Sequence, residues 1–329
     1  MFITAGLYLS AWVTCYLEDQ VNIPYHPTKV IKINLTLAGQ IRNWIRSLPT
    51  LASCLYWRYN LDGKRFGEIV SVDVRYNSTG YLDVYHPEKE EKAPILIFVY
   101  GDEWFPKHKF LYRVFSNSLR ELGYVVVVPD QKYPNDTRDL IHWVYKHAKE
   151  INGDPDMIYM MGHGSGAHRI AQVVLADVIE KSKYHHALSH VDGKHDATQP
   201  SDFLPQVRGL LLFSGIYDST IQMIEENGEL FSDSLDVLDL WPRIMLLHGQ
   251  RDKIMPVDQS SKMFNALGHV LPTERRDEVD VRMRLYKRMN HRESVTALMP
   301  ALFKSSLQTS LKRDIQGFIN IPSFQEKTL

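Results

Sequence analysis

A strand-forming run, Met157 to Met161, leads into Gly162-His163-Gly164-Ser165-Gly166-Ala167-His168, and a helix-compatible run, Ala167 to Ile179, leads out. That order restricts the chain to folds in which a buried strand hands over to a helix at the edge of a parallel sheet. It is also the setting of a nucleophile elbow, where a serine stands on a tight turn above the sheet. An elbow reads G-x-S-x-G, with small residues two places before and two places after the apex. Here Gly162 and Gly166 bracket Gly164, which has no side chain, and Ser165 sits one place late. Steric reasoning prefers Gly164 at the apex, since the flanking glycines then take the crowded positions. With Ser165 at the apex, His163 and Ala167 would take them, and histidine is awkward there. The glycines on either side of Ser165 also make the turn pliable enough for a slip of one residue.

The chain around this stretch alternates between strands and helices. Glu68 to Tyr76 and Tyr81 to Tyr85 read as a hairpin about the turn Asn77-Ser78-Thr79-Gly80. Pro94 to Tyr100, Tyr124 to Pro129, Val207 to Phe213, Arg243 to His248 and Val279 to Tyr286 read as further strands, the first two as near-continuous apolar runs buried on both faces. Helices are expected over Phe110 to Leu122 (ended by Gly123), Thr137 to Ile151, Val257 to Leu267 and Leu302 to Phe318. The expected fold class is α/β, a mostly parallel sheet with helices on both faces over residues 61–329. Lys181 to Ser201, with His185, His186, His190 and His195, reads as a polar surface loop rather than a metal site. Asp218 to Trp241 reads as an irregular acidic insertion suited to a lid at 218–241.

Residues 1–60 read as a separate N-terminal helical extension. Met1 to Leu17 carries no charged side chain, lacks the basic start of a signal peptide and is at the short limit for a membrane span. It reads as a buried or partner-covered helix, with a membrane anchor as the alternative. Ile33 to Trp57 places Leu37, Ile41, Trp44, Ile45 and Leu48 at helical spacing with Arg42 and Arg46 on the other side, interrupted by Pro49. Membrane contact through residues 1–17 and 33–57 is therefore one reading, and packing against the main domain the other. A net charge of -1 gives no general pull toward nucleic acid. Two cysteines make no disulfide framework, which favours an intracellular location; the sequons at Asn34, Asn77 and Asn135 leave a secretory route open. No cofactor and no metal are expected.

Two further stretches fall just beyond strand ends, where sheets of this kind place function. His248-Gly249-Gln250-Arg251-Asp252-Lys253 follows one strand, and Asn290-His291-Arg292-Glu293 follows the last. Ser165, Asp252 and His291 occur in the chain order of a serine nucleophile, its orienting acid and its base. A serine hydroxyl attacks poorly until an imidazole takes its proton, and the imidazole needs a carboxylate to hold its tautomer. Asp252 also reads as a turn or capping residue, and His291 as a plain loop histidine.

Taken together, Leu82-Asp83-Val84-Tyr85-His86-Pro87, Val99 to Trp104, Val126 to Asp130, Gly153 to Asp156, Gly162 to His168, Ser214 to Asp218, His248 to Val257 and Asn290-His291 carry a resemblance. The chain resembles the esterase branch of the α/β-hydrolases that includes prenylcysteine methylesterases, kynurenine formamidases and hormone-sensitive-lipase-like esterases. The resemblance covers about residues 61 to 300. It implies that the catalytic residues are Ser165, Asp252 and His291. It also implies an oxyanion hole built from the amides of Gly101, Asp102 and Gly166. The chain departs from the family where Gly164-Ser165 replaces Ser-Ala, and where Asp102-Glu103 stands between Gly101 and Trp104. The expected function is hydrolysis of a carboxylic ester, with the N-terminal apolar segments suiting a lipid-like substrate. The alternatives are a catalytically impaired relative that keeps its pocket for binding, and a variant in which His291 activates water directly. The location this implies is intracellular, membrane-associated in preference to fully soluble.

Overall fold

The computed structural model describes residues 2–17, 25–59, 67–88, 92–101, 109–130, 136–189, 202–232, 239–271, 279–300 and 305–320. The described residues fall into two compact units, one up to Leu55 and one from Tyr56 onward.

The first unit holds α1 (Phe2–Leu17) and α2 (Pro27–Tyr59) as far as Leu55. The expected break at Pro49 does not occur. A proline removes one helical hydrogen bond, and the rest of this 33-residue helix continues on either side of it. Ala11, Cys15 and Val30 form the buried seam between the two helices. Asn34 spans it, donating to Leu7 O at 2.8 Å while Ser10 Oγ donates to Asn34 Oδ1 at 2.6 Å.

The second unit is built on eight strands: β1 (Val70–Arg75), β2 (Tyr81–Tyr85), β3 (Ala93–Val99), β4 (Val125–Pro129), β5 (Gly153–His163), β6 (Gly209–Phe213), β7 (Arg243–Gly249) and β8 (Val281–Tyr286). Their order across the sheet is β1-β2-β4-β3-β5-β6-β7-β8. Only β2 runs antiparallel to its neighbours. The other pairs are parallel, as expected of strands separated by helices.

Successive side chains of the central strands bury into opposite faces. Ile95, Ile97 and Val99 enter one core layer with Val125, Val127, Leu210 and Leu212. Leu96 and Phe98 enter the other with Val126, Val128, Leu211 and Phe213. Both faces are thus dry, so these strands are continuously apolar rather than alternating.

The helices are α3 (Arg113–Arg120), α4 (Asp136–His147), α5 (Ser165–Ser189), α6 (Asp218–Glu226), α7 (Glu229–Ser232), α8 (Val257–Val270), α9 (Glu293–Thr296) and α10 (Ser306–Ile319). Two expectations need correction. The polar stretch from Lys181 is helical up to Ser189, because α5 runs on. Lys181 Nζ binds Leu204 O at 2.6 Å and Asp177 Oδ2 at 2.9 Å, and Tyr184 meets Phe203 edge-on. His185 and His186 lie on this helix, while His190 and His195 lie outside the described residues. The segment expected to be irregular from Asp218 is helical over α6 and α7. Ile224, Phe231 and Trp241 bury in the first core layer, so lid motion here would have to expose them.

The strand order reverses between β3 and β5, since β4 lies on one side of β3 and β5 on the other. The carboxyl ends of β3 and β5 at this switch carry Tyr100-Gly101 and the glycine turn.

Candidate active site

β5 ends at His163 and α5 begins at Ser165, leaving Gly164 as the turn residue between them. Gly164 has φ 54°, the left-handed conformation that glycine adopts without a Cβ penalty. Its N–H donates to Phe213 O at 2.9 Å, and its carbonyl accepts from His168 N at 3.2 Å. The flanking glycines fix this register. A Cβ on Gly162 would lie 2.5 Å from Ala167 Cα, and one on Gly166 would lie 2.1 Å from Val99 O. Both obstacles are backbone. A slip of one residue would push His163 into the place where even a methyl group does not fit.

Gly164 therefore holds the apex, and Ser165 is the first residue of the helix. The amide directly after the apex is that of Ser165, one residue before Gly166. The amino end of α5 directs its first amides and its positive dipole end at the turn. Gly166 backs onto the end of β3, and Gly101 is buried just beyond that strand. Asp102 lies outside the described residues, as do Glu103 and Trp104.

Asp252 follows β7 in a tight turn. Its Oδ1 accepts from the amides of Ile254 at 2.9 Å and Met255 at 2.8 Å. Its Oδ2 lies 2.8 Å from His291 Nδ1, and the carboxylate side chain has no exposed surface. Burial pushes this carboxyl up. The hydrogen bonds from His291, Met255 and Ile254 outweigh burial and hold it at about 2. Asp252 is thus an anion that accepts from Nδ1–H. With Nδ1 taken by the carboxylate, Nε2 is the remaining ring nitrogen of His291. His291 is 2 % exposed, and Nε2 has no hydrogen-bond partner among the described residues. No hydrogen bond joins it to Ser165 Oγ.

The loops carrying Asp252 and His291 are interlocked. Gln250 N donates to Tyr286 O, Arg251 N donates to Met289 O, and the face of Gly249 that a Cβ would occupy lies against Met289 O. Asn290 and Glu293 exchange backbone-to-side-chain hydrogen bonds at 2.9 and 3.0 Å, the reciprocal pattern of a capping box. That pattern sets the turn on which His291 sits.

Two more buried histidines complete the cluster. His248 bonds Met255 O through Nε2 at 3.0 Å and Ser260 Oγ through Nδ1 at 2.8 Å, tying β7 and α8 to the Asp252 turn. Burial lowers its pKa. His163 donates Nε2–H to His291 O at 3.0 Å, and Ser294 Oγ donates to the same carbonyl. The rings of His163 and His291 lie 4.5 Å apart, which puts His291 against the neighbour of the apex. In the sequence His163 is only a bulky residue beside the turn, and no spacing rule links it to a carbonyl 128 residues downstream.

Burial, followed by repulsion from His291, lowers His163 to about 4. A free imidazole titrates at about 6.5. Between those values the unfolded chain binds more protons at this site, so stability is full above about pH 6.5 and falls as the pH drops toward about 4. The urea midpoint is expected to fall across that window. His163→Gln keeps a donor for His291 O without the titration, so it is expected to shrink the fall. An unchanged slope would mean that His163 is not the titrating group.

Among the described residues no group of three or more His, Cys, Asp or Glu side chains converges as metal ligands would. What the cluster offers is an oriented imidazole, a carboxylate behind it, and a helix amino end beside a glycine turn. This is the equipment of acyl transfer, except that the apex lacks a hydroxyl.

The chain is similar to several known proteins. A probable isoprenylcysteine alpha-carbonyl methylesterase of Oryza sativa subsp. japonica is 27% identical over 288 residues, covering 74% of this chain and 64% of that protein. A probable carboxylic ester hydrolase of Mycobacterium tuberculosis is 23% identical over 230 residues, covering 59% of this chain and 50% of that protein. The chain thus spans less than two thirds of the length of either relative. Among solved structures, the esterase Est2 of Thermogutta terrifontis shares the fold at a TM-score of 0.51 and 14% identity, covering 76% of this chain and 90% of that one. The BD-FAE family model matches residues 82–267, from β2 into α8 and more than half of the chain, so the chain belongs to the BD-FAE family, an esterase type of α/β-hydrolase.

Proposed function

We propose that this protein hydrolyses carboxylic esters through an acyl-enzyme, with Ser165 as nucleophile, His291 as base and then acid, and Asp252 orienting His291. The observation that carries this reading is the His291–Asp252 pair. Its carboxylate is fixed by three hydrogen bonds, and its Nε2 has no partner among the described residues, beside the elbow turn. An imidazole held in this tautomer serves proton transfer.

Ser165 Oγ bonds to the acyl carbon as its proton passes to Nε2. The alkoxide leaves with that proton as the alcohol. Water then attacks the acyl carbon, giving one proton to Nε2, and that proton passes to Ser165 Oγ as the acyl-serine bond breaks and the acid is released. Amides from the amino end of α5 and from the Gly101–Asp102 region stabilise the charge on the tetrahedral intermediate. The curated relatives named above are called esterases or ester hydrolases, which supports the reaction class. The isoprenylcysteine methylesterase name of the rice relative, together with the apolar N-terminal helices, supports an ester with a lipid-like portion.

The conformation of Gly164 favours a second reading, a binding module with impaired catalysis. A glycine at φ 54° occupies the nucleophile's usual place, and Ser165 Oγ makes no hydrogen bond to the base. One experiment separates the two. Treat the protein with a fluorophosphonate probe, locate the adduct by mass spectrometry, and measure p-nitrophenyl acetate turnover. The hydrolase reading expects an adduct on Ser165 and turnover that disappears in Ser165→Ala. Absence of both, with substrate-like esters still binding, sinks it in favour of the binding module.

A further inference from the structure

Twelve of the nineteen exposed large hydrophobic side chains among the described residues lie before residue 50. They include Leu9 and Tyr16 of α1, and Ile31, Leu35 and Ile45 of α2. A water-soluble surface rarely gathers so much apolar area in so short a stretch unless something covers it. Among the described residues of the two helices, only Ala11, Cys15 and Val30 are buried hydrophobic residues, while Leu9, Tyr16, Ile31, Leu35 and Ile45 are exposed.

The charge pattern identifies the cover. From Phe2 to Leu17 there is no charged side chain, and from Pro27 to Tyr59 there are five cations, Lys29, Lys32, Arg42, Arg46 and Arg58, and no carboxylate. The whole chain carries slightly more acid than base, so these helices reverse its balance. On a helix of 3.6 residues per turn, Ile31, Leu35, Arg42 and Ile45 fall within about 80° of one another, so Arg42 shares this face with them and does not lie on the other side as the spacing from Leu37 to Leu48 suggests. Lys29, Lys32 and Arg42 are exposed. Aromatic rings gather at one end, with Trp12 edge-on to both Tyr8 and Tyr25 at 6.1 and 6.2 Å. Rings of this kind settle at the boundary between lipid tails and headgroups. No described helix is long and apolar enough to cross a membrane. An apolar face mixed with cations and free of carboxylates instead suits a helix lying in the plane of a bilayer.

We propose that α1 and α2 dock this protein in the plane of an anionic lipid surface. The apolar residues enter the acyl boundary, and Lys29, Lys32 and Arg42 meet the headgroups. The inference does not depend on the hydrolase reading, since none of its residues belongs to the candidate active site.

The test is co-sedimentation of the full chain with vesicles. The protein is expected to pellet with phosphatidylcholine vesicles containing about 30 mol % phosphatidylserine, and far less with phosphatidylcholine alone. Raising the salt from about 0.05 to about 0.5 M is expected to release it. Lys32→Gln with Arg42→Gln should lower the partition coefficient about thirty-fold. Leu35→Ser with Ile45→Ser should lower it by more than about ten-fold. All four positions are exposed, so the fold tolerates the changes. Protein left in the supernatant with every vesicle would overturn the proposal, as would equal binding to neutral and anionic vesicles. A dimer in solution that Leu35→Ser with Ile45→Ser dissociates would overturn it too, by showing that a second copy covers this face.

Discussion

Gly164→Ser is expected to raise p-nitrophenyl acetate hydrolysis by about 100-fold or more, and to move the fluorophosphonate adduct from Ser165 to residue 164. The flanking geometry is already that of an elbow. Gly162 and Gly166 press against Ala167 and the end of β3, and the turn residue sits at φ 54°. A serine hydroxyl there projects from the turn itself rather than from the first residue of the helix. The His291 ring lies against His163, the residue preceding the apex, with Nε2 free of any partner among the described residues. A nucleophile placed beside a waiting base gains most of its rate from position alone. The left-handed backbone makes the substitution cost about 1–2 kcal/mol of stability, read as a lower melting temperature. Adding Ser165→Ala to this variant should leave the gained rate in place. No gain with the fold intact would mean that the base does not reach the apex, and would remove the argument that this pocket is arranged for acyl transfer.

His291→Ala is expected to lower kcat about 10²–10⁴-fold and to abolish probe labelling of Ser165. Without the imidazole a neutral serine hydroxyl is a poor nucleophile. Asp252→Asn should lose nearly as much. An amide in place of the carboxylate offers its N–H to Nδ1 and turns the imidazole to the wrong tautomer. The fold is expected to survive both changes. Asp252 keeps the amides of Ile254 and Met255, and the Asn290–Glu293 exchange still holds the turn. Circular dichroism and a urea midpoint check this. An unchanged kcat in His291→Ala would refute the assigned base.

The core strands were readable because residues buried on both faces leave no polar alternation. Val125 to Pro129 and Gly209 to Phe213 are uninterrupted apolar runs, and each is a strand buried at every position. The hairpin strand Tyr81–Tyr85 begins where the turn residues place it. Errors arose where side chains make contacts far along the chain. Lys181 looks like loop material until its ammonium meets Leu204 O and Asp177. Asp218 to Trp241 looks irregular because Ile224, Phe231 and Trp241, the residues that anchor it, are spread thinly among polar ones. Pro49 looks like a helix end because local rules count its missing donor and not the turns on either side.

The sequence by itself determined the class of fold, the carboxyl-edge positions of Asp252 and His291, and the unusual placement of Ser165. These follow from strand burial, chain order and the spacing of three glycines, all of which are local or nearly so. Only the tertiary structure decided which residue occupies the turn. It closed the approach of Gly162 to Ala167 and of Gly166 to Val99, contacts between backbones that leave no room for the alternative register. Only it brought His163 beneath the His291 carbonyl and His248 beside the Asp252 turn. The first of these bonds ties the end of β5 to the loop after β8, 128 residues on, and a pattern of spacing along one chain carries no record of which strand ends meet.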